Sequence, residues 1–241
     1  MKCTRTNIWG FAGTLLLISF LAGIVPAAEP GIDIPEHVFN FGFVSRKVEV
    51  THQFVIRNIG EDSLHILDVK PGCSCTKAPL EKSSLAPGDS TYTEIIFKTG
   101  RYNGTIVKNT SIKSADQPLQ RIQIKAFVLP NRRQGRPLVI EPMEVDLDDH
   151  RPDDPSQPWT VRIAARNYGD EPVGIRTVAA PTDLFEISLP HETIPPDSTA
   201  YLELKLDERI LNRALKKSFT IAVDDSAATH YTVAVKKSAK W

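Results

Sequence analysis

The chain has 241 residues, of which 41% are hydrophobic, and its 29 basic and 29 acidic residues give a formal net charge of zero. This balance excludes the electrostatic basis on which most proteins bind nucleic acid or an anionic membrane surface. The length suits a leader followed by two domains of about 100 residues each.

The N-terminal segment, residues 1–28, has the three-part pattern of a secretory signal peptide. Basic residues precede an apolar run from Ile8 to Val25, and small residues follow at a cleavage point after Ala27 or Ala28. An uncleaved membrane anchor is the alternative, but the glycines within the run favour cleavage. We therefore expect an exported protein that is periplasmic, at the cell surface or secreted, with no membrane span after cleavage.

Residues 33–129 have the pattern of short strands separated by turns. Apolar and polar residues alternate, and turn sequences such as NIGED, APGD and RYNG divide the segments. Seven strands in about 95 residues are typical of an immunoglobulin-like sandwich. The predicted strands are Val38–Val44, Glu49–Asn58, Ser63–Val69, Thr76–Leu80, Ser90–Lys98, Thr105–Ser114 and Leu119–Val128.

Two turns of this first domain are predicted to be structural. Asn58 and Gly60 define one of them, and Pro87 and Gly88 define the other. We expect Gly60 to have a positive φ, because glycine lacks the Cβ that makes this backbone conformation costly.

The rest of the chain predicts a linker and a second sandwich. The polar stretch 130–137, PNRRQGRP, has prolines at both ends and forms the linker. Residues 138–241 form a second, diverged immunoglobulin-like domain, because IRNIGED in the first half recurs as ARNYGDE 109 positions later. Within this domain, Asp207–Lys217 has helical spacing and predicts a short helix at the sandwich edge.

Cysteine usage singles out one candidate site. Without the leader, the chain has two cysteines, Cys73 and Cys75. In an ideal strand, residues i and i+2 have Cα atoms about 6.6 Å apart, whereas a disulfide requires a closer approach of the side chains. Because Pro71 and Gly72 favour a turn just before the pair, we predict an intramolecular disulfide there. So short a loop adds little stability through chain entropy.

Several interpretations of the cysteine pair remain open. The pair is a structural element of the sandwich, an exchangeable disulfide, or a ligand set for a soft metal ion. The metal would be Cu(I), or zinc in a tetrahedral site that a second molecule completes. Bonding to another protein is a further interpretation. The second half has AAPTD where the repeat places the cysteines, so this scaffold is expected to form without thiols.

The sequence contains no recognisable catalytic signature. It lacks a nucleophile elbow, a phosphate-binding loop and a zinc-protease motif, and its six histidines are scattered. We therefore expect no enzymatic activity, no catalytic residues and no cofactor.

The first domain resembles a bacterial family, the domain of unknown function 1573. The residues that carry the resemblance are Phe41-Gly42, Asn58-Ile59-Gly60, Cys73-Ser74-Cys75-Thr76 and Pro87-Gly88. The middle residue of the cysteine motif is usually glycine in this family and is Ser74 here. The resemblance covers residues 33–128. It implies an immunoglobulin-like fold and export, and it implies no activity.

The sequence therefore predicts an all-β protein with two tandem immunoglobulin-like β-sandwich domains after an N-terminal signal peptide. Its predicted function is that of an exported, non-enzymatic binding or structural protein of the bacterial cell envelope. It would contact a protein partner through sandwich edges or loops, and it would not bind nucleic acid. The alternative is a thiol-redox or soft-metal-handling protein that uses Cys73 and Cys75.

Overall fold

A computed structural model of the chain describes residues 31–115, 117–130, 137–154, 157–207 and 213–238. These residues form seventeen β-strands and a 3₁₀ helix, Leu147–His150. The predicted all-β fold is therefore confirmed. The predicted signal peptide, residues 1–28, lies outside the described residues, as do residues 131–136 of the predicted linker.

The first half of the described chain contains nine strands. Three of the seven predicted strands have the predicted bounds, namely Val38–Val44, Glu49–Asn58 and Ser90–Lys98, and the alternating burial of their side chains explains this agreement. The strands are β1 (Ile32–Asp33), β2 (Val38–Val44), β3 (Glu49–Asn58), β4 (Leu64–Pro71), β5 (Thr76–Lys77), β6 (Ser84–Leu85), β7 (Ser90–Lys98), β8 (Gly104–Ser114) and β9 (Gln120–Val128).

The second half contains eight described strands. They are β10 (Leu138–Glu141), β11 (Glu144–Asp146), β12 (Thr160–Asn167), β13 (Ile175–Ala179), β14 (Phe185–Ser188), β15 (Thr199–Leu206), β16 (Leu215–Val223) and β17 (His230–Lys237). The predicted helix over Asp207–Lys217 is wrong at its C-terminal end. There β16 begins and pairs with β17, which satisfies the backbone groups that a helix would satisfy internally. Residues 208–212 lie outside the described residues.

The strands form three sheets around two hydrophobic cores. A four-stranded sheet, β1-β3-β7-β5, covers the first core, and another, β10-β12-β15-β14, covers the second. The third sheet has nine strands in the order β13-β16-β17-β2-β9-β8-β4-β6, with β11 also paired to β17. It forms the opposite layer of both sandwiches, so the two halves of the chain share one continuous sheet.

Asn58 and Asn167 organise equivalent turns in the two halves. The Asn58 amide donates to the carbonyls of Asp62 and Leu85, at 2.8 and 3.0 Å, and its Oδ1 accepts from the Gly60 N–H at 3.1 Å. The Asn167 amide donates at 2.8 and 2.9 Å to the carbonyls of residues 171 and 194, and its Oδ1 accepts at 2.8 Å from the N–H of residue 169. Each of these positions is displaced by 109 from its counterpart.

The prediction that Gly60 has a positive φ is wrong. Among the described residues, the glycines with positive φ are Gly42, Gly88, Gly100 and Gly104. The Asn58 side chain closes the turn by accepting from the Gly60 N–H, so the turn does not need a left-handed glycine. Gly88, at the second predicted turn, has a φ of 79°, and its N–H donates to the Asn58 carbonyl at 3.0 Å.

Candidate functional site

The cysteine motif lies in the crossover between the two layers of the first sandwich. The preceding strand, β4, pairs with β8 in the large sheet, and the following strand, β5, pairs with β7 in the opposite sheet. Backbone hydrogen bonds hold both ends of the crossover. The Gly72 N–H donates to the Asn109 carbonyl at 2.9 Å, and the Lys98 N–H donates to the Cys75 carbonyl at 2.9 Å. The cysteine turn is therefore fixed to both sheets.

Cys73 and Cys75 form a disulfide within this turn. Their Cα atoms are 5.3 Å apart, closer than in an extended strand, because residues 72–75 form a bend and turn. Both cysteines are half-buried, and Ser74 between them is exposed. Cys75 packs against the first core. The disulfide is thus covered on the Cys75 side and borders solvent at the intervening residue.

The Thr76 hydroxyl is the polar group next to the disulfide. Its Oγ1 lies 3.4 Å from Cys73 Sγ and 3.8 Å from Cys75 Sγ, within hydrogen-bonding range of sulfur. Thr76 is only 5% exposed, and its backbone pairs with Phe97 of β7. The fourth residue of the cysteine motif therefore places a buried hydroxyl beside both sulfurs.

The described residues contain no cluster of three or more His, Cys, Asp or Glu side chains that could hold a metal ion. A reduced Cys73 and Cys75 would therefore offer a metal ion two thiolate ligands. The soft-metal interpretation of this pair remains a prediction.

A groove that the sequence did not predict lies at the joint of the two halves. Its volume is about 660 Å³. The Phe43 and Phe127 rings meet edge to face on one side, with centroids 5.5 Å apart, and Phe127 is 37% exposed. The lining residues are Asn40, Gly42, Phe43, Thr105, Lys125, Ala126, Phe127, Ala227, Ala228, Thr229 and His230.

The groove wall is formed where the second half contacts β2. Tyr231 pairs with Phe43 in a parallel bridge between β17 and β2, and burial raises the pKa of Tyr231 well above its ordinary value. The His230 Nδ1–H donates to the Asn40 carbonyl at 2.7 Å. Gly42 has a φ of 63°, and a Cβ there would overlap the His230 backbone. In the sequence, the feature that indicates this contact is a glycine inside a predicted strand, because such glycines often mark the close approach of another backbone.

Polar contacts fix the two halves to each other beside this bridge. Ser218 Oγ accepts from the Thr51 N–H at 2.8 Å and lies 3.0 Å from the Thr51 carbonyl, to which it donates. Thr232 Oγ1 donates to the Phe41 carbonyl at 2.6 Å. Phe41 lies between the lining residues Asn40 and Gly42, so the Thr232 contact holds this part of the groove against the second half.

In the part of the chain that the structure describes, no helix has the length and apolar character needed to cross a membrane.

Comparison with solved structures finds distant similarity. A protein of unknown function from Porphyromonas gingivalis W83 is 13% identical over 86% of this chain and 98% of its own, with a TM-score of 0.35. The periplasmic chaperone SfaE is 10% identical over 86% and 98%, with a TM-score of 0.33. A PapD-like domain of human CEP192 is 12% identical over 49% and 99%, with a TM-score of 0.35.

Comparison with protein families finds a match in the first half of the chain. No curated protein matches the sequence. The family model described as "Protein of unknown function (DUF1573)" matches residues 32–128, which include the cysteine turn and both structural turns. This match confirms the resemblance that the motifs of the first domain predicted.

Proposed function

We propose that the protein is an exported, non-enzymatic binding protein of the bacterial cell envelope that holds a segment of a partner protein in the groove at the joint. The observation that carries this proposal is an apolar groove whose walls come from both halves of the chain. Hydrogen bonds and a strand bridge hold these walls in place. A preformed groove binds a partner without the cost of ordering its own walls.

The lining of the groove defines the chemistry of its partner. Phe43, Phe127, Ala227 and Ala228 all line the groove and favour an apolar side chain. Lys125 is exposed on the strand that carries Phe127, so an acidic group beside that apolar side chain would gain a favourable charge interaction. The proposed ligand is therefore a protein segment with an apolar anchor next to an acidic residue.

Two further features support a binding role at the cell envelope. The groove lining, as described, contains His230 and Lys125 but no carboxylate, and the His230 ring is engaged with the Asn40 carbonyl. This lining does not provide a paired general acid and base. The Cys73–Cys75 disulfide and the leader pattern of residues 1–28 both favour an oxidising compartment outside the cytoplasm.

The proposal is tested by capturing the partner with a groove variant and a matched control. Phe127→Glu places a charge in the apolar lining, and we expect it to reduce recovery of partner from the native envelope at least about tenfold. Leu67→Glu makes the same change at an exposed apolar residue outside the groove lining and should leave recovery unchanged. The N-terminus of this chain, when it is purified from the envelope, should lie directly after Ala27 or Ala28.

Two results would contradict this proposal. Equal recovery of every partner by the Phe127→Glu and Leu67→Glu variants would show that binding does not use the groove. A chain that retains residues 1–28 and fractionates with the cytoplasm would contradict export. Circular dichroism of both variants, compared with that of the parent protein, establishes that each is folded.

A further inference from the structure

We propose that the Cys73–Cys75 disulfide is a site of thiol–disulfide exchange with a dithiol partner, and that the Thr76 hydroxyl stabilises the thiolate released when the bond opens. This activity is separate from binding in the groove and uses different residues. It assigns a chemical role to the last residue of the Cys-x-Cys-Thr motif.

The architecture argues against a bracing role for this disulfide. The bond closes a loop with one intervening residue, and so short a loop gains little from chain entropy. The ends of the turn are already held by backbone hydrogen bonds to both sheets. The second half makes the corresponding crossover, from β13 to β14, through residues 180–184 without a cysteine. A sandwich of this type therefore forms its crossover without the bond.

The two sulfurs differ in their surroundings. Cys75 packs against the first core, whereas Cys73 lies between two exposed residues, Gly72 and Ser74. An incoming thiolate therefore reaches the Cys73 sulfur more readily than the Cys75 sulfur. Attack at Cys73 makes Cys75 the leaving group.

Thr76 is placed to assist this leaving group. Its hydroxyl is 3.8 Å from Cys75 Sγ and 3.4 Å from Cys73 Sγ, so it can donate to whichever sulfur carries the negative charge. The pairing of Thr76 with Phe97 and the hydrogen bond from the Lys98 N–H to the Cys75 carbonyl do not involve the disulfide. The hydroxyl therefore stays beside the sulfurs when the bond opens. Hydrogen bonds to a charged sulfur lower the pKa of its thiol, and thiols of lower pKa leave faster.

The exchange proceeds in two balanced steps. A thiolate of the partner attacks Cys73 Sγ, a mixed disulfide forms, and the electron pair of the broken bond goes to Cys75 Sγ as a thiolate. The second thiolate of the partner then attacks the partner sulfur that is bonded to Cys73 in the mixed disulfide. The Cys73 thiolate is released. Two electrons have moved: the two partner thiolates are oxidised to a disulfide, and the Cys73–Cys75 bond is reduced to two thiolates.

The test uses the mature full-length chain, equilibrated under native conditions with mixtures of reduced and oxidised dithiothreitol at about pH 8, near the ordinary thiol pKa. The thiols are then alkylated, and intact mass gives the reduced fraction. We expect reversible reduction of the folded protein. Thr76→Val removes the hydroxyl and should shift the equilibrium about tenfold toward the disulfide, because a hydrogen bond to a charged group is lost. That shift corresponds to about 30 mV in reduction potential.

Two further variants separate this role from a structural one. Thr76→Ser keeps the hydroxyl and should retain an equilibrium close to that of the parent protein. Thr93→Val removes a buried hydroxyl that donates to the Pro79 carbonyl instead of a sulfur, so it should leave the equilibrium within about twofold. The proposal is overturned if Thr76→Val and the parent protein have equal equilibrium constants. It is also overturned if the bond is reduced only at the rate of global unfolding.

Discussion

Gly42 is the residue most closely confined at the joint of the two halves. It combines a φ of 63° with a position where an added Cβ would overlap the His230 backbone. The Asn40 side chain accepts from its N–H at 2.9 Å, which holds the local bend in β2. A register shift in the β2–β9 pairing occurs at this point. The Phe41-Gly42 motif of the first domain therefore serves contact with the second domain.

The first prediction concerns replacement of Gly42. Gly42→Ala should lower the free energy of unfolding by about 3–4 kcal/mol, because the strained backbone and the overlap with His230 act together. Gly104→Ala is the matched control. Its φ of 72° is similar, but no heavy atom lies within 4 Å of an added Cβ, so we expect a loss of about 1–2 kcal/mol. Denaturant titration followed by circular dichroism measures both. Equal losses would show that proximity to His230 is unimportant.

At the scale of elements, Asn58 and Asn167 form equivalent hydrogen bonds that link neighbouring loops in the two halves. Asn58 and Asn167 are 1% and 0% exposed. Each side chain donates to two carbonyls and accepts from the N–H two residues later, and the Asn58 Oδ1 also accepts from the Gly31 N–H at 3.4 Å. The side-chain contacts occur in both halves at the same spacing along the chain. The spacing is the same 109 residues at which the sequence motif recurs.

The second prediction is that both asparagines stabilise their turns to a similar degree. Asn58→Ala and Asn167→Ala should each lower the free energy of unfolding by about 2–4 kcal/mol, because buried backbone groups lose their partners. Asn109→Ala removes an exposed side chain that accepts from Gln123 and should cost less than about 1 kcal/mol. Denaturation midpoints give the comparison. A small effect at one asparagine alone would contradict the equivalence of the turns.

The elements also show what the sequence could and could not predict. Strands such as β3 and β7 were predictable because their alternating burial is a local property of the chain. The φ of Gly60 was not, because Asn58 takes over the closing of the turn. The cysteine turn was predictable from Pro71 and Gly72. The proximity of the Thr76 hydroxyl to both sulfurs was not, because it depends on how the turn packs.

At the scale of the whole molecule, the groove depends on contacts that no local pattern reveals. The hydrogen bond from Thr232 to the Phe41 carbonyl joins residues 191 positions apart, and the Ser218–Thr51 bonds span 167 positions. Lys217 and Glu94 add an ion pair across the same interface. The two sandwiches are consequently joined by a shared sheet and a polar interface, in addition to the covalent linker.

The last prediction is that the two halves stay associated after the linker is cut. Trypsin should cleave first at Arg132, Arg133 or Arg136, since the sequence predicts a linker there, and exposed linkers are preferred cleavage sites. The two fragments should then co-elute in size-exclusion chromatography and separate only in denaturant. Covalent continuity is lost on cleavage, but the contacts between β2 and β17 and between Ser218 and Thr51 are retained.

Replacement of one interface residue tests whether the interface is responsible for this association. Ser218→Ala removes both hydrogen bonds to the Thr51 backbone and leaves buried polar groups without partners, so the fragments of this variant should dissociate about tenfold more readily. Ser188→Ala, an exposed substitution on β14, should leave their association unchanged. Separate elution of the fragments from the parent protein would show that the linker alone holds the halves together. In that case the groove would not be preformed, and a partner would have to order its walls on binding.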